Sequence, residues 1–599
     1  MERLEMLQNY RLVWGILSRR ERGQFILLIV MSILMALFEV VGVAAILPFL
    51  AMIGDPSIIE TNVAIALFAR VIGSTDVKQI TVAFGFTVLA MLVLGMAVRA
   101  LGTYGQVRFS MMRAFTIATR LLRVYLRQPY VWFLTQNTSE FGQSLLSEID
   151  MVVRQSILPA VLLVSNITIT ILIVAVLFIT EPAVALGAFG LLGGVYVLIY
   201  FALRKRLDLV GKERIDFNKE RFRTVQEIGG GIKEIKVMGL EDIALSRFHG
   251  PAFGMARTQS AANVMGKIPR FALEAVIYGG FILMVLFMLI VKERQIEELL
   301  PLFGLLGLSS IKLFPALQTI YAQLSLIRFT APALTRLHCD VTTLSIPPVT
   351  PEGAPIRLNK VLEISDLHFR YPESDRSTLH GISTTIAARS TVGIVGGTGA
   401  GKTTVVDLIL GLLAPTEGEI RVDGTPITPE RRRDWQKTLG YVPQTIFLID
   451  DTVAANIAFG VPPEKVDMAA IEAAARTANL HEFVLNNLPE GYNTRVGERG
   501  VRLSGGQRQR IGIARALYFD PDVLVLDEAT SALDNLTEKT VMEAVDNLAG
   551  AKTIIMIAHR LSTVQNCDTI LLLSHGKIVA EGHYKALMQN EEFRRMANT

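Results

Sequence analysis

The first half of the chain is a series of long apolar runs separated by charged stretches, whereas the second half alternates short apolar runs with glycine-rich turns. Six runs come near the roughly 20 residues that cross a hydrocarbon core as a helix. They are Phe25–Ile53, Ile80–Val98, Ser156–Thr180, Ala183–Leu203, Phe271–Val291, and a last run from about Leu299 to about Leu317. The second, third and fourth contain no charged residue. The first is too long for a secretory h-region of about 7–15 residues, so it is expected to stay as a membrane helix. Lys and Arg number 26 in the segments on one side of this ladder and 4 on the other. Leaving out the longest loop still gives 12 against 4, so the richer side is cytoplasmic.

The two cytoplasmic connections, 99–155 and 204–270, are far longer than a turn requires. Outside Gln128-Pro129 and Gly229-Gly230-Gly231 they carry few helix breakers, which predicts helices that extend the spans into a stalk. Each also holds an apolar knot, Tyr130–Leu134 and Ile232–Leu240, that calls for a partner surface. Residues 1–23 mix apolar side chains with five arginines and are expected to form an interfacial helix. Residues 24–337 then make the membrane domain. The polar, proline-rich stretch 338–360 reads as a linker, and 361–599 as a second domain.

Four ionisable residues interrupt or end the apolar runs: Glu39, Arg99, Glu274 and Lys312. Charges at membrane depth face a wet cavity or one another. Both readings stand for Glu39 and Lys312, Arg99 has a snorkelling alternative, and Glu274 lies close to an interface. Composition agrees with a membrane protein carrying a water-soluble part, at 51% hydrophobic and 19% charged residues. A net charge of +4 argues against general nucleic-acid affinity. The two cysteines, Cys339 and Cys567, are too far apart in sequence to suggest a disulfide framework or metal site.

The chemistry lies in the second half. Val361–Tyr371 and Ile382–Ile386 are expected strands, followed by an apolar run, Val392–Val395, that feeds Gly396-Gly397-Thr398-Gly399-Ala400-Gly401-Lys402-Thr403. This fits G-x-x-x-x-G-K-[ST], a loop whose backbone N–H groups face α/β-phosphates, whose lysine reaches the β/γ-phosphates and whose threonine binds Mg²⁺. The helix starting near Gly401 adds its dipole and unpaired amides. An α/β P-loop domain is indicated. Val523–Leu526 is a further strand, ending in Asp527 and Glu528. In a P-loop protein the first acid holds Mg²⁺, and a second at this point polarises the attacking water. Ser504-Gly505-Gly506, before an arginine-bearing helix, makes another anion-binding N-terminus.

With Leu503-Ser504-Gly505-Gly506-Gln507 between these two motifs, the chain resembles an ABC transporter of exporter type over essentially its whole length. The resemblance implies a six-helix membrane domain fused to an ABC-type ATPase domain, with ATP and Mg²⁺ as ligands. Tyr371 resembles the aromatic that stacks on adenine. Residues Gly396 to Thr404 resemble the phosphate loop and the start of its helix, and Gln444 resembles the Q-loop residue that contacts Mg²⁺ and senses the membrane domain. Thr494–Gly500 is similar to the loop typical of exporters, Ser504 to Gln507 to the signature, Ser531–Asp534 to the D-loop, and His559 to the switch histidine at the γ-phosphate. The implied catalytic set is Glu528, His559 and Gln444, and the implied Mg²⁺ set is Thr403, Gln444 and Asp527.

One cradle and one signature per chain imply a homodimer with two composite sites, in which the apolar knots resemble coupling helices. Asp55–Asn62 followed by Val63–Ile72 resembles the external helix of the lipid-linked oligosaccharide flippases; Glu39–Pro48 and Gly231–Lys236 are also similar to that subgroup. A re-entrant or loop helix is the plainer reading of Val63–Ile72. Flipping of a lipid-linked glycan in a bacterial inner membrane is thus the expectation, with export of drugs, other lipids or peptides as its rival. A non-transport ABC ATPase acting on DNA or ribosomes is opposed by the six apolar runs and the lack of a basic tract. A degenerate regulatory protein is opposed by intact Lys402, Asp527, Glu528 and His559.

Overall fold

The computed structural model describes residues 2–54, 59, 63–73, 76–180, 182–291, 296–344, 353–372, 374, 376–528, 535–558 and 560–597. The chain forms two compact units. One comprises Met1–Gln128 with Gln136–Pro347, and the other Pro129–Thr135 with Pro348–Thr599.

The first unit is helical. Helix α1 (Glu2–Ile16) stops before α2 (Arg19–Ala44), so residues 1–23 are not one helix. A capping box causes the break: the Ser18 N–H donates to Glu21 Oε2 at 2.8 Å, and the Glu21 N–H donates to Ser18 Oγ at 3.4 Å. Arg22 closes the other side by donating to the Trp14 carbonyl at 2.9 Å. Val13, Ile16 and Leu17 are buried. The long first apolar run is also divided, because α2 ends at Ala44 and α3 (Ile46–Gly54) follows. Pro48 explains this, since its ring removes an amide donor and clashes with the carbonyl four residues earlier.

Helix α4 (Val63–Ile72) has the expected limits. It places Ile65, Phe68 and Ala69 in a small core with Met52, Ile59, Ile80 and Phe84. Of the preceding Asp55–Asn62 stretch, only Ile59 lies within the described residues.

The other apolar runs sit in long helices: α5 (Val77–Leu126), α7 (Leu158–Thr180), α8 (Pro182–Gly230), α10 (Glu241–Val291) and α11 (Ile296–Thr343). Among the described residues, Arg19–Gly42, Val77–Leu126 and Ser139–Ile179 are long and apolar enough to cross a membrane. Helix α8 continues from the end of its apolar run to Gly230, which at 1.5 Å per residue carries it about 40 Å further. The breakers act where expected. Helix α5 ends just before Gln128-Pro129, and Gly231 separates α8 from α9 (Ile232–Met238). One crossing is tight: a Cβ on Gly211 of α8 would lie 2.3 Å from the Phe329 carbonyl oxygen of α11.

Apolar packing joins α2, α7 and α11 through Ala36, Val40, Ile169, Ile173 and Leu313. Beyond the apolar runs a buried ionic cluster takes over. Arg214 of α8 is fully buried and pairs with Glu148 at 2.5 Å. Asn218 donates to the same carboxylate at 2.7 Å and Gln143 at 3.3 Å. Glu148 ends a π-helical turn, Ser144–Glu148, in the irregular stretch leading to α7.

In the second unit, β1 (Val361–Phe369), β2 (Leu379–Ala387), β4 (Glu417–Val422) and β5 (Thr425–Pro426) form an antiparallel sheet in the order β2-β1-β4-β5. The remaining strands are β3 (Thr391–Gly396), β6 (Leu439–Val442), β7 (Val523–Asp527), β8 (Thr553–Ile557), β9 (Thr569–Ser574) and β10 (Lys577–Gly582). They lie in the order β10-β9-β3-β8-β7-β6, parallel except for β10. The short helix α6 (Tyr130–Thr135) belongs to this unit, and Val131 packs against its core.

The expected linker 338–360 is shorter at both ends. Helix α11 runs to Thr343, and from Gly353 the chain is docked onto the second unit. The Gly353 N–H donates to Asp434 at 2.8 Å, and Ile356 and Leu358 are buried on alternate positions of an extended segment.

The buried pair makes a stability prediction. Arg214→Ala would strand the Glu148 carboxylate in the interior, a loss of about 3–5 kcal/mol. The exposed Arg223, paired with Glu227 in solvent, should leave the melting temperature nearly unchanged when changed to Ala. Thermal melts of both variants in detergent test this, and equal melting temperatures would contradict it.

Candidate active site

Parallel register gathers the motifs at one edge of the larger sheet. Ile557 of β8 stands opposite Asp527 of β7, and Gly396 at the end of β3 stands opposite Leu573 of β9. The loop Gly396–Gly401 then turns into α12 (Lys402–Ile409). Two of its glycines have separate reasons. Gly396 has β9 against it, so an added Cβ would lie 2.2 Å from the Leu573 carbonyl oxygen. Gly401 caps α12 in the left-handed region at φ +100°, where a side chain is disfavoured.

Lys402 is buried in this loop, donating to the carbonyls of Gly396 at 2.8 Å and Gly397 at 3.2 Å. Burial holds its ammonium below the usual lysine value, and the negative charges of Glu528 and Asp527 oppose that shift. Thr403 is exposed at the start of α12, whereas Thr404 is buried and meets the Tyr371 hydroxyl at 3.2 Å. Tyr371 also stands edge-on to Phe369, with ring centroids 4.9 Å apart.

Glu528 follows β7 at φ +48°, an uncommon conformation for a residue with a Cβ. Its carboxylate accepts from the Gln444 amide at 2.5 Å, across 84 residues of sequence. The structure therefore brings Lys402, Gln444, Asp527 and Glu528 into one neighbourhood.

Ser504 and Gln507 do something more local. They form a capping box at the start of α13 (Gly505–Leu517), Ser504 N–H to Gln507 Oε1 at 2.8 Å and Gln507 N–H to Ser504 Oγ at 3.3 Å. That presents a well-ordered helix N-terminus containing Gly505 and Gly506. His559 and Ser531–Asp534 lie outside the described residues.

Three residues given no site role by the motifs stand at the same edge. The Tyr441 hydroxyl donates to Asp527 at 3.4 Å. Asp407 on α12 is nearly buried, and burial, with Asp527 nearby, pushes its carboxyl up to about 6. Tyr130 of α6 lies near Asp407 and Tyr371; burial, then their charges, push its hydroxyl up. Alternation in β6 could have flagged Tyr441, which precedes Gln444 by three residues. No local signal ties Tyr130 to a site some 240 residues later.

In the helical unit, Arg99 of α5 pairs with Glu39 of α2 at 2.7 Å. The Glu39 side chain is 14% exposed and that of Arg99 59%. Glu274 pairs with Arg270 one turn away at 2.8 Å. The side chain of Lys312 lies outside what is described. Cys339 and Cys567 are both free thiols.

Comparison with known proteins agrees with this architecture. Residues 24–302 match the ABC transporter transmembrane region, and residues 379–531 match the ABC transporter family. An ATP-dependent lipid A-core flippase of Saccharophagus degradans is 48% identical over 227 residues, which are 38% of each chain. A protein of the same name from Cupriavidus metallidurans is 31% identical over 470 residues, 77% of each chain. The first match thus spans little more than a third of that relative's length. A bacterial Atm1-family ABC exporter, whose structure has ATP bound, superposes with a TM-score of 0.74 over 96% of this chain and 97% of its own, at 24% identity, and so shares its fold. Similar in sequence along both halves to such relatives, the chain belongs to the ABC transporter family, as an exporter-type half-transporter with a helical membrane domain fused to an ABC ATPase domain.

Proposed function

We propose that this protein works as a homodimer in a bacterial inner membrane, coupling ATP hydrolysis in the cytoplasm to the flipping of a lipid with an anionic, glycan-bearing head. In this reading residues 24–337 form the membrane domain and 361–599 the ATPase domain. The observation that carries the ATPase reading is the convergence of Gln444 on Glu528 beside the buried Lys402. Support for a lipid comes from relatives named as lipid A-core flippases. The short helix α4 and the charged pair Arg99–Glu39 on facing helices are consistent with an amphiphilic substrate.

Roles follow from chemistry. The amides of Gly396, Gly397, Thr398, Gly399, Ala400 and Gly401 cradle the phosphates, Lys402 reaches the β/γ-phosphates, and Tyr371 stacks on adenine. The donors at hand fit Mg²⁺, because the Thr403 hydroxyl, the Asp527 carboxylate and the Gln444 amide oxygen are hard ligands. When bound, the ion would neutralise charge on the β- and γ-phosphates.

Glu528 takes the proton of the attacking water, with Gln444 orienting its carboxylate, and His559 contacts the γ-phosphate. Ser504, Gly505, Gly506 and Gln507 supply a helix N-terminus that closes on ATP held by a second copy. That second copy, the lipid and the membrane are the partners, and nucleic acid is not among them.

Loss of the general base typically costs about 10²–10⁴ in rate. Glu528→Gln should therefore bind ATP normally, hydrolyse it slowly and accumulate as a nucleotide-bound dimer. Near-normal ATPase in the purified variant would reject the assignment.

Tyr441→Phe removes the hydroxyl that positions Asp527. It should lower kcat two- to tenfold, about 0.5–1.5 kcal/mol, and raise the Mg²⁺ concentration needed for half-maximal ATPase, with ATP binding unchanged. An unaltered Mg²⁺ titration would remove Tyr441 from the site.

Arg99, more than half exposed, can exchange its Glu39 partner for a lipid phosphate. Arg99→Ala should then reduce flipping of a pyrophosphate-linked lipid in proteoliposomes while basal ATPase and melting temperature hold. A parallel fall in melting temperature would assign the pair to the scaffold instead.

A further inference from the structure

The phosphate loop is fixed at its start by β3, and the far end of its helix is held by residues outside the motifs. Helix α12 has 8 residues, so Ile409 lies about 10 Å along the axis from Lys402. The last carbonyls of a helix lack partners within it. The turn at Gly411 serves two of them, the Leu412 N–H donating to the Asp407 carbonyl at 2.8 Å and the Gly411 N–H to that of Leu408 at 3.0 Å. The Ile409 and Leu410 carbonyls are met instead from the short helix Arg432–Gln436. The fully buried Trp435 donates its indole N–H to Ile409 at 2.7 Å, and the Gln436 amide donates to Leu410 at 3.0 Å.

The residue before Trp435 grips the segment that enters this unit. Asp434, also buried, accepts from the Gly353 N–H through its carboxylate at 2.8 Å and from the Ile356 N–H through its backbone carbonyl at 3.1 Å. Asp423 clasps the other end, its carboxylate accepting from the amides of Asn359 at 2.9 Å, Lys360 at 2.9 Å and Val361 at 2.8 Å. The fit at Gly353 is close. A Cβ there would lie 2.3 Å from Asp434 Oδ2, and Asp434 could make room only by giving up its bond to the Gly353 N–H. Gly353 is otherwise exposed, and all of these residues belong to one compact unit. Adjacent residues therefore bind the entry segment and the end of the phosphate-loop helix.

We propose that residues 353–361 are a strap that sets the position of α12, with Gly353, Asp434 and Trp435 as positioning residues for ATP hydrolysis. The proposal rests on the reading of Gly396–Thr403 as the phosphate loop. The strap fixes Asp434, Asp434 fixes Trp435, and Trp435 fixes the carbonyl end of a short rod whose other end carries Lys402 and the first-turn amides. Misplacing such groups by about 1 Å can cost about 10²-fold in rate. Because the loop holds the phosphates before as well as during hydrolysis, loosening it raises KM for ATP more than it lowers kcat.

The test compares Gly353→Ala, Trp435→Phe and their combination in the purified full-length protein. Each single variant breaks one link, leaves every motif intact, and should raise KM for ATP by roughly three- to tenfold, the worth of one hydrogen bond, with kcat changed less. Since the strap acts through Trp435, the combined variant should be little worse than either single one. Asp434→Asn keeps an acceptor for the Gly353 N–H and should restore near-normal KM, whereas Asp434→Ala should behave like Gly353→Ala. Amide exchange, read by mass spectrometry without nucleotide, should rise in Gly353→Ala at 405–411 as well as at 353–361. Exchange confined to 353–361, an unchanged KM in either single variant, or additive effects in the combined one would overturn the proposal. So would a fall in melting temperature with KM unaltered, which would make Trp435 core packing alone. A failure of the phosphate-loop reading would show separately, as wild-type KM and kcat in Lys402→Ala, and the exchange measurement does not depend on it.

Discussion

The ATPase unit depends on the in-register parallel pairing of β3, β8 and β7. Because Ile394 and Asp527 both face Ile557 across the sheet, the strands end together, and whatever follows each one emerges at the same edge. Ligands of open α/β sheets bind outside the carboxyl ends of such strands. The phosphate loop follows β3 and Glu528 follows β7, while His559 comes two residues after β8 in sequence. A slip of one residue would turn each strand's buried side chains to the opposite face and draw the two acids away from Lys402. All five residues of β7 and all five of β8 are buried, so both faces of these strands lie in the core, as expected for the centre of a parallel sheet.

Much of this was legible because it is local. The glycine-lysine loop, the strand ending in two acids and the limits of Val63–Ile72 follow from short-range pattern, and the structure has the strands and helix at those places. The remainder is long-range, or was hidden by composition. Glu39 and Arg99 are 60 residues apart, and their pairing rests on α2 lying against α5. Prolines made 338–360 look like a linker, yet Ile356 and Leu358 alternate inward and dock its latter part. Ser18-Arg-Arg-Glu21 is a complete capping-box pattern, set within a run of arginines before an apolar stretch whose charge pattern by itself points to a membrane surface and not to a helix start.

The two units handle buried charge differently, and the difference tracks function. In the helical unit, Glu148 accepts from Arg214, Asn218 and Gln143, an arrangement that satisfies the carboxylate and leaves little chemistry available. At the sheet edge, negative charges stand close to one another instead. Asp407 is driven toward neutrality by burial beside Asp527, and Glu528 holds a strained backbone conformation, which costs about 1–3 kcal/mol. Crowding of like charge is expensive unless a cation or a proton is supplied, and here the Lys402 ammonium stands near both Asp527 and Glu528.

Helix α6 links these chemistries in one chain. Its sequence lies between α5 and the helical turns that lead to α7, yet it packs into the core of the ATPase unit through Val131. Tyr130 on the same helix stands among Tyr371 and Asp407, the first proposed to stack on adenine and the second close to Asp527. The flanking residues Tyr125 and Phe141 stay in the helical unit, where their rings approach to 5.3 Å and the Tyr125 hydroxyl donates to Asp340 at 3.1 Å. Both ends of the excursion are therefore anchored in the membrane part while its middle is bound to the nucleotide part. Gln128-Pro129, which follows the end of α5, is the break at which the chain makes this excursion.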